Sequence, residues 1–202
     1  MNLVTLLGAG SHARSLIALL DECGYGVDKI VDINSIEKTE EKINNIPVVA
    51  SDFKQYILTP MVLAIGDSKI RHEVFTKQDN VLNVNLISPL AQVCTTSHLG
   101  SSNQVFTSVV INTNAVIGEN NIINTGAIIE HECTIGSHNH ISIGAVIAGR
   151  VKIGDHCFIG ANSTVIDKVN ICSNVIIGAG SVVISDITTP GTYVGNPIRK
   201  IK

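Results

Sequence analysis

A histidine between two glutamates is the group in this sequence that is best suited to acid–base chemistry. The segment reads Glu130-His131-Glu132, and the chain has 7 histidines in all. Imidazole exchanges protons near neutral pH, and a carboxylate bonded to one ring nitrogen fixes the tautomer and raises the basicity of the other. The cluster therefore predicts a general base at His131. A solvated histidine at a corner of the fold is the alternative that spacing alone leaves open.

The scaffold that must carry this histidine shows an unbroken period of six residues. Every sixth residue from Val93 to Val183 is Ile, Val or Leu, and small residues often come two places earlier. One hexad cannot bury its apolar side alone, so successive coils must stack. A β-sandwich would instead show a period of two. The pattern predicts a left-handed parallel β-helix over 93–183, with three hexads in each coil and His131 facing outward at a corner.

The first part of the chain has a different sequence pattern, in which short apolar runs alternate with stretches of helical periodicity. Strands are predicted at 3–7, 30–32, 62–65 and 81–87, and helices at 12–23 and 69–77. Alternation of this kind is typical of a small parallel sheet with right-handed crossovers. We therefore expect two domains: a small α/β, Rossmann-like domain at 1–87, and a β-helix domain with a C-terminal tail at 88–202.

One turn in the first domain has the composition of a phosphate-binding loop. Gly8, Gly10 and Ala13 lie between a predicted strand and a predicted helix, where backbone N–H groups can hold a phosphate. Asp32 ends the second strand, at a position where an acidic residue commonly meets a ribose or base. The length of the domain leaves room for one mononucleotide site. A vestigial fold that is used only for packing is the alternative.

The composition argues against several other classes of protein. A net charge of -3 and the lack of a basic stripe argue against nucleic-acid binding. No apolar run approaches the roughly 20 residues of a membrane-spanning helix. The first residues lack the positively charged segment of a signal peptide, and the 5 cysteines form no CxxC pair. These features favour a cytoplasmic protein with reduced thiols that binds neither nucleic acid nor membrane.

Taken together, the motifs resemble those of the bacterial sugar O- and N-acetyltransferases among the hexapeptide-repeat acyltransferases. This group includes sialic acid O-acetyltransferases and N-acetyltransferases of UDP-linked 4-amino sugars. The resemblance covers nearly the whole chain and rests on Gly8-Ala9-Gly10-Ser11-His12-Ala13, Ala64-Ile65-Gly66-Asp67, Ile129-Glu130-His131-Glu132-Cys133, Val151-Lys152-Ile153-Gly154 and Val194-Gly195-Asn196-Pro197. It implies acetyl-CoA as co-substrate and a homotrimer with active sites between subunits.

The same resemblance assigns roles to individual residues. It implies that His131 is the general base, that Glu132 orients its ring, and that the Gly149 N–H holds the thioester carbonyl. By the same resemblance, acetyl-CoA would contact His140, Ala161 and Ala179, and the acceptor would contact Gly10, Ser11, His12, Asp32, Gly66 and Asn124. For Gly149 and the two alanines, a tight corner that needs a small residue is an alternative explanation.

The leading hypothesis is an acetyl-CoA-dependent N-acetyltransferase that acts on a nucleotide-linked 4-amino sugar in surface-glycan biosynthesis. We expect direct transfer in a ternary complex, because the nearby Cys133 falls at an inward position of its hexad. The sequence does not separate this activity from O-acetylation of sialic acid or a related sugar. A third hypothesis is a β-helix metal enzyme or a non-catalytic scaffold. Metal binding would need His131, His138, His140 or His156 to converge. His131 and His138 are seven residues apart, which does not match one coil, and no matching third ligand is evident, so we expect no metal site.

Overall fold

The computed structural model describes residues 2–32, 42–50 and 59–202. The chain divides into two compact units, Met1–Asn83 and Val84–Lys202. The second unit thus begins slightly before the predicted boundary at residue 88. In the described part of the chain, no helix is long and apolar enough to cross a membrane.

The first unit is a Rossmann-like α/β sheet, as predicted. Its strands are β1 (Asn2–Leu7), β2 (Tyr25–Asp32), β3 (Lys42–Ile43), β4 (Ile46–Ala50) and β5 (Met61–Leu63), and its helices are α1 (Ser11–Glu22) and α2 (Ser68–Lys77). The strand order is β3-β4-β2-β1-β5, and all pairs are parallel except the β3–β4 pair. Leu16 and Leu20 are buried on α1, because apolar residues at helical spacing line one face of the helix.

The predicted strand at 81–87 is wrong. Val81 forms only an isolated bridge with Met61, whereas Leu86–Ile87 (β6) pairs in parallel with Gln104–Val105 in the second unit. Ile87 lies one hexad before Val93, so the period of six already includes it. The apolar run at 81–87 therefore spans the boundary between the two units, and its end belongs to the first coil of the β-helix.

The second unit is a left-handed parallel β-helix, as predicted. After β6 its strands are β7 (Gln92–Val93), β8 (His98–Leu99), β9 (Gln104–Val105), β10 (Val110–Ile111), β11 (Val116–Ile117), β12 (Ile122–Ile123), β13 (Ile128–Ile129), β14 (Thr134–Ile135), β15 (His140–Ile141), β16 (Val146–Ile147), β17 (Lys152–Ile153), β18 (Phe158–Ile159), β19 (Thr164–Val165), β20 (Asn170–Ile171), β21 (Val175–Ile177), β22 (Val182–Val183), β23 (Gly191–Val194) and β24 (Arg199–Lys200). From β6 to β22 each strand pairs in parallel with the strand one coil away, and only the terminal pair β23–β24 is antiparallel.

Three sheets form the faces of a triangular prism. The first face contains β6, β9, β12, β15, β18, β21, β23 and β24; the second face contains β7, β10, β13, β16, β19 and β22; the third face contains β8, β11, β14, β17 and β20. The chain visits the faces in this order, so each coil turns at a first–second, a second–third and a third–first corner. Corner positions that are 18 residues apart in the sequence lie in line along the prism, one coil from each other.

Aliphatic side chains fill the prism at every sixth position, as predicted. From Val105 to Val183 these side chains are at most 3% exposed. Burial of one such side chain contributes about 1.5–3 kcal/mol. Cys133 and Cys157 occupy the inward small positions beside them, and burial raises the pKa of each thiol to about 11. Both cysteines are therefore packing residues that remain thiols at neutral pH.

Buried asparagines support the third–first corner. The Oδ1 atoms of Asn103, Asn121 and Asn139 each accept a hydrogen bond from a backbone N–H one coil later, over 2.9, 2.7 and 2.7 Å. These bonds satisfy N–H groups that water does not reach. They tie consecutive coils together and leave the other two corners free to carry different side chains.

Candidate active site

His131 lies at the second–third corner, in the turn that follows β13. Its side chain is 40% exposed, and its Nδ1 atom lies 3.0 Å from Oε2 of Glu132. A carboxylate only accepts hydrogen bonds, so the contact assigns the proton of the neutral ring to Nδ1. The other nitrogen, Nε2, then has a free lone pair. The corner thus presents a ring nitrogen that can take up a proton.

The two glutamates beside His131 have different partners. Oε2 of Glu130 accepts hydrogen bonds from the His131 backbone N–H at 3.2 Å and from Asn112 Nδ2 at 3.1 Å. Glu130 therefore stabilises the turn, whereas Glu132 contacts the ring. The Arg150 N–H also donates to the His131 carbonyl over 2.9 Å, so the neighbouring coils hold the backbone of the histidine.

Glu132 occupies a corner position whose backbone is left-handed. One residue at each corner has φ between 53° and 68°, and the occupants are Ser102, Ser108, Asn114, Asn120, Gly126, Glu132, His138, Gly144, Arg150, His156, Asn162, Lys168, Asn174 and Gly180. Gly and Asn accept this conformation readily, whereas other residues lose on the order of 1 kcal/mol or more. Glu132 and Arg150, which lie in line at the second–third corner, are two such costly occupants. The same conformation at His138, His156 and Ser102 shows that this cost is spread along the coils and is not confined to the second–third corner.

Gly149 lies one coil after His131 and directly against its ring. A Cβ atom on Gly149 would lie 2.6 Å from Nε2 and 2.7 Å from Cε1 of His131. Its φ is not left-handed, so close approach of the ring, and not the turn, is the reason for glycine here. Within the described residues, the Gly149 N–H has no hydrogen-bond acceptor. A free backbone donor therefore lies next to the basic nitrogen.

An ion pair that the sequence analysis missed completes this corner. Arg150 donates from Nε to Oδ1 of Asp167 over 3.1 Å and from Nη2 to Oδ2 over 2.7 Å. The guanidinium lowers the pKa of Asp167, with smaller contributions from Lys168 and His131. The period of the coil could have found Asp167, because it lies two coils after His131 at the same corner position.

Three of the residues predicted to bind acetyl-CoA, and Asn124 from the predicted acceptor site, lie elsewhere on the prism, whereas Gly149 lies beside His131. Asn124, Ala161 and Ala179 are at the first–second corner, and His140 is on the first face. Asn124 Nδ2 is 3.4 Å from His140 Nε2, and the ring of Phe158 meets the His140 ring edge-on with centroids 5.1 Å apart. A single chain therefore brings Asn124 and His140 together but holds them on a different edge from His131.

The remaining candidate metal ligands are at the third–first corner. His138 is buried, its Nδ1 is 2.9 Å from Asn120 Nδ2, and its ring stacks on His156 with centroids 5.0 Å apart. His138 is thus a packing residue. The residues that the structure describes include no group of three or more His, Cys, Asp or Glu that could hold a metal ion.

In the first unit, the predicted phosphate-binding turn follows β1. The Ala9 N–H donates to Oδ2 of Asp32 over 2.6 Å, which ties the turn to the end of β2. Gly8 has φ of 105°, and a Cβ atom there would lie 2.9 Å from the Ala64 carbonyl oxygen. Gly10 is the N-cap of α1, so the first N–H groups of the helix, from Ser11 onward, start at this turn.

Two glycines of this region have no packing reason to be glycine. A Cβ atom on Gly10 or Gly66 would meet nothing within 4 Å, and neither residue is left-handed. The neighbouring Asp67 caps α2 by accepting from the N–H groups of Lys69 and Ile70, each over 2.9 Å. His12, the next predicted ligand, is a partly exposed residue in the first turn of α1.

Comparison with known proteins agrees with both units. The family model of the PglD N-terminal domain matches residues 3–78, and two hexapeptide-repeat transferase models match residues 132–167 and 150–185. A GDP-perosamine N-acetyltransferase mutant from Caulobacter crescentus, solved with CoA and GDP-perosamine, is 31% identical with a TM-score of 0.90. That alignment covers 100% of this chain and 98% of the other.

Two further relatives differ in how much of their length is matched. The acetyltransferase domain of PglB from Neisseria gonorrhoeae in complex with acetyl coenzyme A is 26% identical, with a TM-score of 0.85 and full coverage of both chains. An uncharacterized protein of Acanthamoeba polyphaga mimivirus is 36% identical over 104 residues, which are 52% of this chain. The match spans only 21% of the viral protein's own length.

The contact between Glu132 and the ring predicts the tautomer of His131. Replacing Glu132 with Ala removes the acceptor at Nδ1, so we expect the neutral ring to lose its strong preference for the Nδ1–H form. Long-range ¹H–¹⁵N correlation spectra of the histidine rings would show this. Glu130→Ala is the matched control, because Glu130 contacts the backbone N–H and the preference should survive. An unchanged His131 spectrum in Glu132→Ala would contradict the assignment.

Proposed function

Because the chain belongs to the sugar acetyltransferase family, we propose that it transfers the acetyl group of acetyl-CoA to the amino group of a nucleotide-linked 4-amino sugar. The relative solved with CoA and GDP-perosamine supports a nucleotide sugar as the acceptor class. The observation that carries the proposal is the second–third corner, where Glu132 holds His131 and Gly149 offers a free N–H beside it. The product would enter surface-glycan biosynthesis.

The proposed reaction uses this corner in two proton transfers. The acceptor nitrogen attacks the thioester carbon, and Nε2 of His131 takes a proton from that nitrogen. The Gly149 N–H stabilises the negative charge on the carbonyl oxygen. The carbon–sulfur bond then breaks, and the imidazolium returns its proton to the leaving thiolate of CoA. Glu132 stabilises the imidazolium between the two steps.

Direct transfer in a ternary complex follows from the state of the nearest thiol. Cys133 is fully buried, its Sγ donates to the Ala148 carbonyl over 3.0 Å, and burial raises the pKa of the thiol to about 11. A thiol in this state is a poor nucleophile at neutral pH, because the thiolate is the reactive form. The acetyl group therefore passes straight to the acceptor, without an acyl-enzyme.

The nucleotide of the acceptor is assigned to the first unit. Gly8 is required by packing, whereas Gly10 and Gly66 could each carry a Cβ atom without a clash. Glycine at such positions lets a phosphate approach the backbone closely. The first N–H groups of α1 would bind that phosphate. Asp32 holds the turn through the Ala9 N–H, and its contact with a ribose or base stays a prediction.

We also propose that three copies of the chain form a closed ring. The second face exposes Val110, Ile128, Val146 and Val182 in part, and the first face exposes Phe158 and Ile176. These two faces meet at the first–second corner, where Ile143 is 53% exposed. The third face is largely polar, with His98, Thr134, Lys152 and Asn170 outward. Apolar side chains on two adjacent faces suit prisms packed around a threefold axis.

Such a ring would bring together the two halves of the predicted site. If the second face of one subunit packs on the first face of the next, the second–third corner with His131 lies at the outer rim of that contact. His140 of the neighbouring subunit lies on the opposing first face, and Asn124 lies at the first–second edge of that face. Acetyl-CoA would then bind between the subunits, with Ala161 and Ala179 allowing its close approach to the main chain.

The base assignment is tested by removing the imidazole. We expect His131→Ala to lower turnover by roughly 10²–10⁴-fold while the KM for acetyl-CoA changes little, because the proton acceptor is lost but the binding surface stays. CoA release can be followed with a thiol reagent. His98→Ala is the matched control, since His98 is exposed on the third face and should keep full turnover. Near-normal turnover in His131→Ala would refute the assignment.

The nucleotide site is tested by thermal unfolding with UDP, dTDP and GDP. One of them should raise the melting temperature, since a ligand that binds only folded protein stabilises it by about 2.7 kcal/mol at one hundred times its Kd. Gly66→Ala should fold normally, because an added Cβ atom meets nothing within 4 Å, but should reduce the shift. The lack of a shift with all three nucleotides would favour an acceptor without a nucleotide, such as sialic acid.

The ring is tested by placing a charge on each face. We expect a solution mass of three times 21.4 kDa by light scattering, and we expect Val146→Glu on the second face to produce monomers. Val116→Glu makes the same change on the third face, where Val116 is 46% exposed. This face lies outside the proposed contact, so the assembly should stay intact. A monomeric wild-type protein, or equal effects of the two substitutions, would contradict the proposed packing.

A further inference from the structure

Two polar atoms of different chemistry border the space above Gly149. The site of a Cβ atom on this residue is 2.6 Å from Nε2 of His131 and 3.2 Å from Oδ1 of Asp167. Nε2 and Oδ1 are therefore at most 5.8 Å apart at the second–third corner. Neither Asp167 nor its ion pair with Arg150 has a role in the proton transfers proposed above.

We propose that Asp167 is a specificity-determining residue that makes the site select an amine acceptor over a hydroxyl acceptor. The proposal rests on the proposed acetyl transfer at His131 and concerns the chemical class of its acceptor. Nε2 and Oδ1 are close enough for one small donor group to reach both. The nitrogen of the sugar would thus donate one hydrogen bond to Nε2, which takes its proton, and a second hydrogen bond to Oδ1, which does not.

The number of donors on the acceptor decides this selection. A protonated amine has three N–H groups and a neutral amine has two, so it can donate to Nε2 and to Oδ1 together. A hydroxyl group has a single O–H, and once it donates to Nε2 its lone pairs would face the Asp167 carboxylate. A site that is built for an extra donor rejects the analogue that lacks it, because the protein acceptor is then left unpaired.

The ion pair with Arg150 leaves Asp167 able to accept a further hydrogen bond. Its two bonds, over 3.1 and 2.7 Å, use one lone pair on each carboxylate oxygen. Each oxygen has a second lone pair, so Oδ1 can still accept from a substrate. In the proposed reaction one proton leaves the nitrogen for Nε2 and later reaches the CoA sulfur, while the bond to Oδ1 holds a proton that stays on the product amide.

The experiment compares two acceptors that differ only at the acetylated position, a nucleotide-linked 4-amino sugar and its 4-hydroxy counterpart. We expect the ratio of kcat/KM for amine over hydroxyl to fall about tenfold in Asp167→Asn, through a higher KM for the amine. The KM for acetyl-CoA should stay within about twofold, because that substrate makes no proposed contact with Asp167. Glu73→Gln, which removes an exposed carboxylate from α2, should leave the ratio unchanged.

Arg150→Gln separates the carboxylate from the ion pair. This variant breaks the same pair but keeps the negative charge, so the amine preference should hold or rise. An equal fall of the ratio in Arg150→Gln and Asp167→Asn would make the pair merely structural and would overturn the proposal. An unchanged ratio in Asp167→Asn would also overturn it, although N-acetyl transfer by the wild type would leave the proposed function standing. If the wild type acetylates neither acceptor, the proposed function itself fails.

Discussion

Burial of one aliphatic side chain in every hexad is the interaction on which the rest of this structure depends. From Val105 to Val183 each of these side chains is almost completely removed from water, and each burial contributes about 1.5–3 kcal/mol. A hexad alone cannot achieve this, because its apolar side needs the coils above and below. Stacking then forces parallel pairing at an offset of one coil, and the prism follows.

Because inward residues determine the fold, outward residues at the corners are available for chemistry. The inward positions and the asparagine ladder at the third–first corner hold the backbone, so outward corner positions can vary at little cost to the coil. Residues one coil apart lie in line, and a short column at one corner can assemble groups that are distant in sequence. His131, Gly149 and Asp167 form such a column, with the base, a free N–H and a carboxylate in adjacent layers.

The sequence predicted the β-helix more completely than it predicted the contacts at the second–third corner. The period of six reports burial directly, so it revealed the interior residues and the outward placement of His131. It carries no information about side-chain pairing across coils, which is why the Arg150–Asp167 pair was missed. The strand expected at 81–87 failed because local apolar content does not tell which unit a segment joins. Leu86–Ile87 follows the register of the hexads, and long-range pairing outweighed local propensity.

At the second–third corner, hydrogen bonds hold His131 more firmly than they hold the Arg150–Asp167 ion pair. The backbone of His131 is held by Glu130 and by the Arg150 N–H, and its ring by Glu132, so the imidazole is already positioned in the protein alone. Such preorganisation lowers the cost of reaching the reactive geometry. The Arg150–Asp167 pair is exposed, and exposed pairs contribute little to stability, so it is free to respond to the acceptor. In the proposed mechanism, the rigidly held imidazole of His131 takes the proton, and the exposed Asp167 carboxylate selects among acceptors.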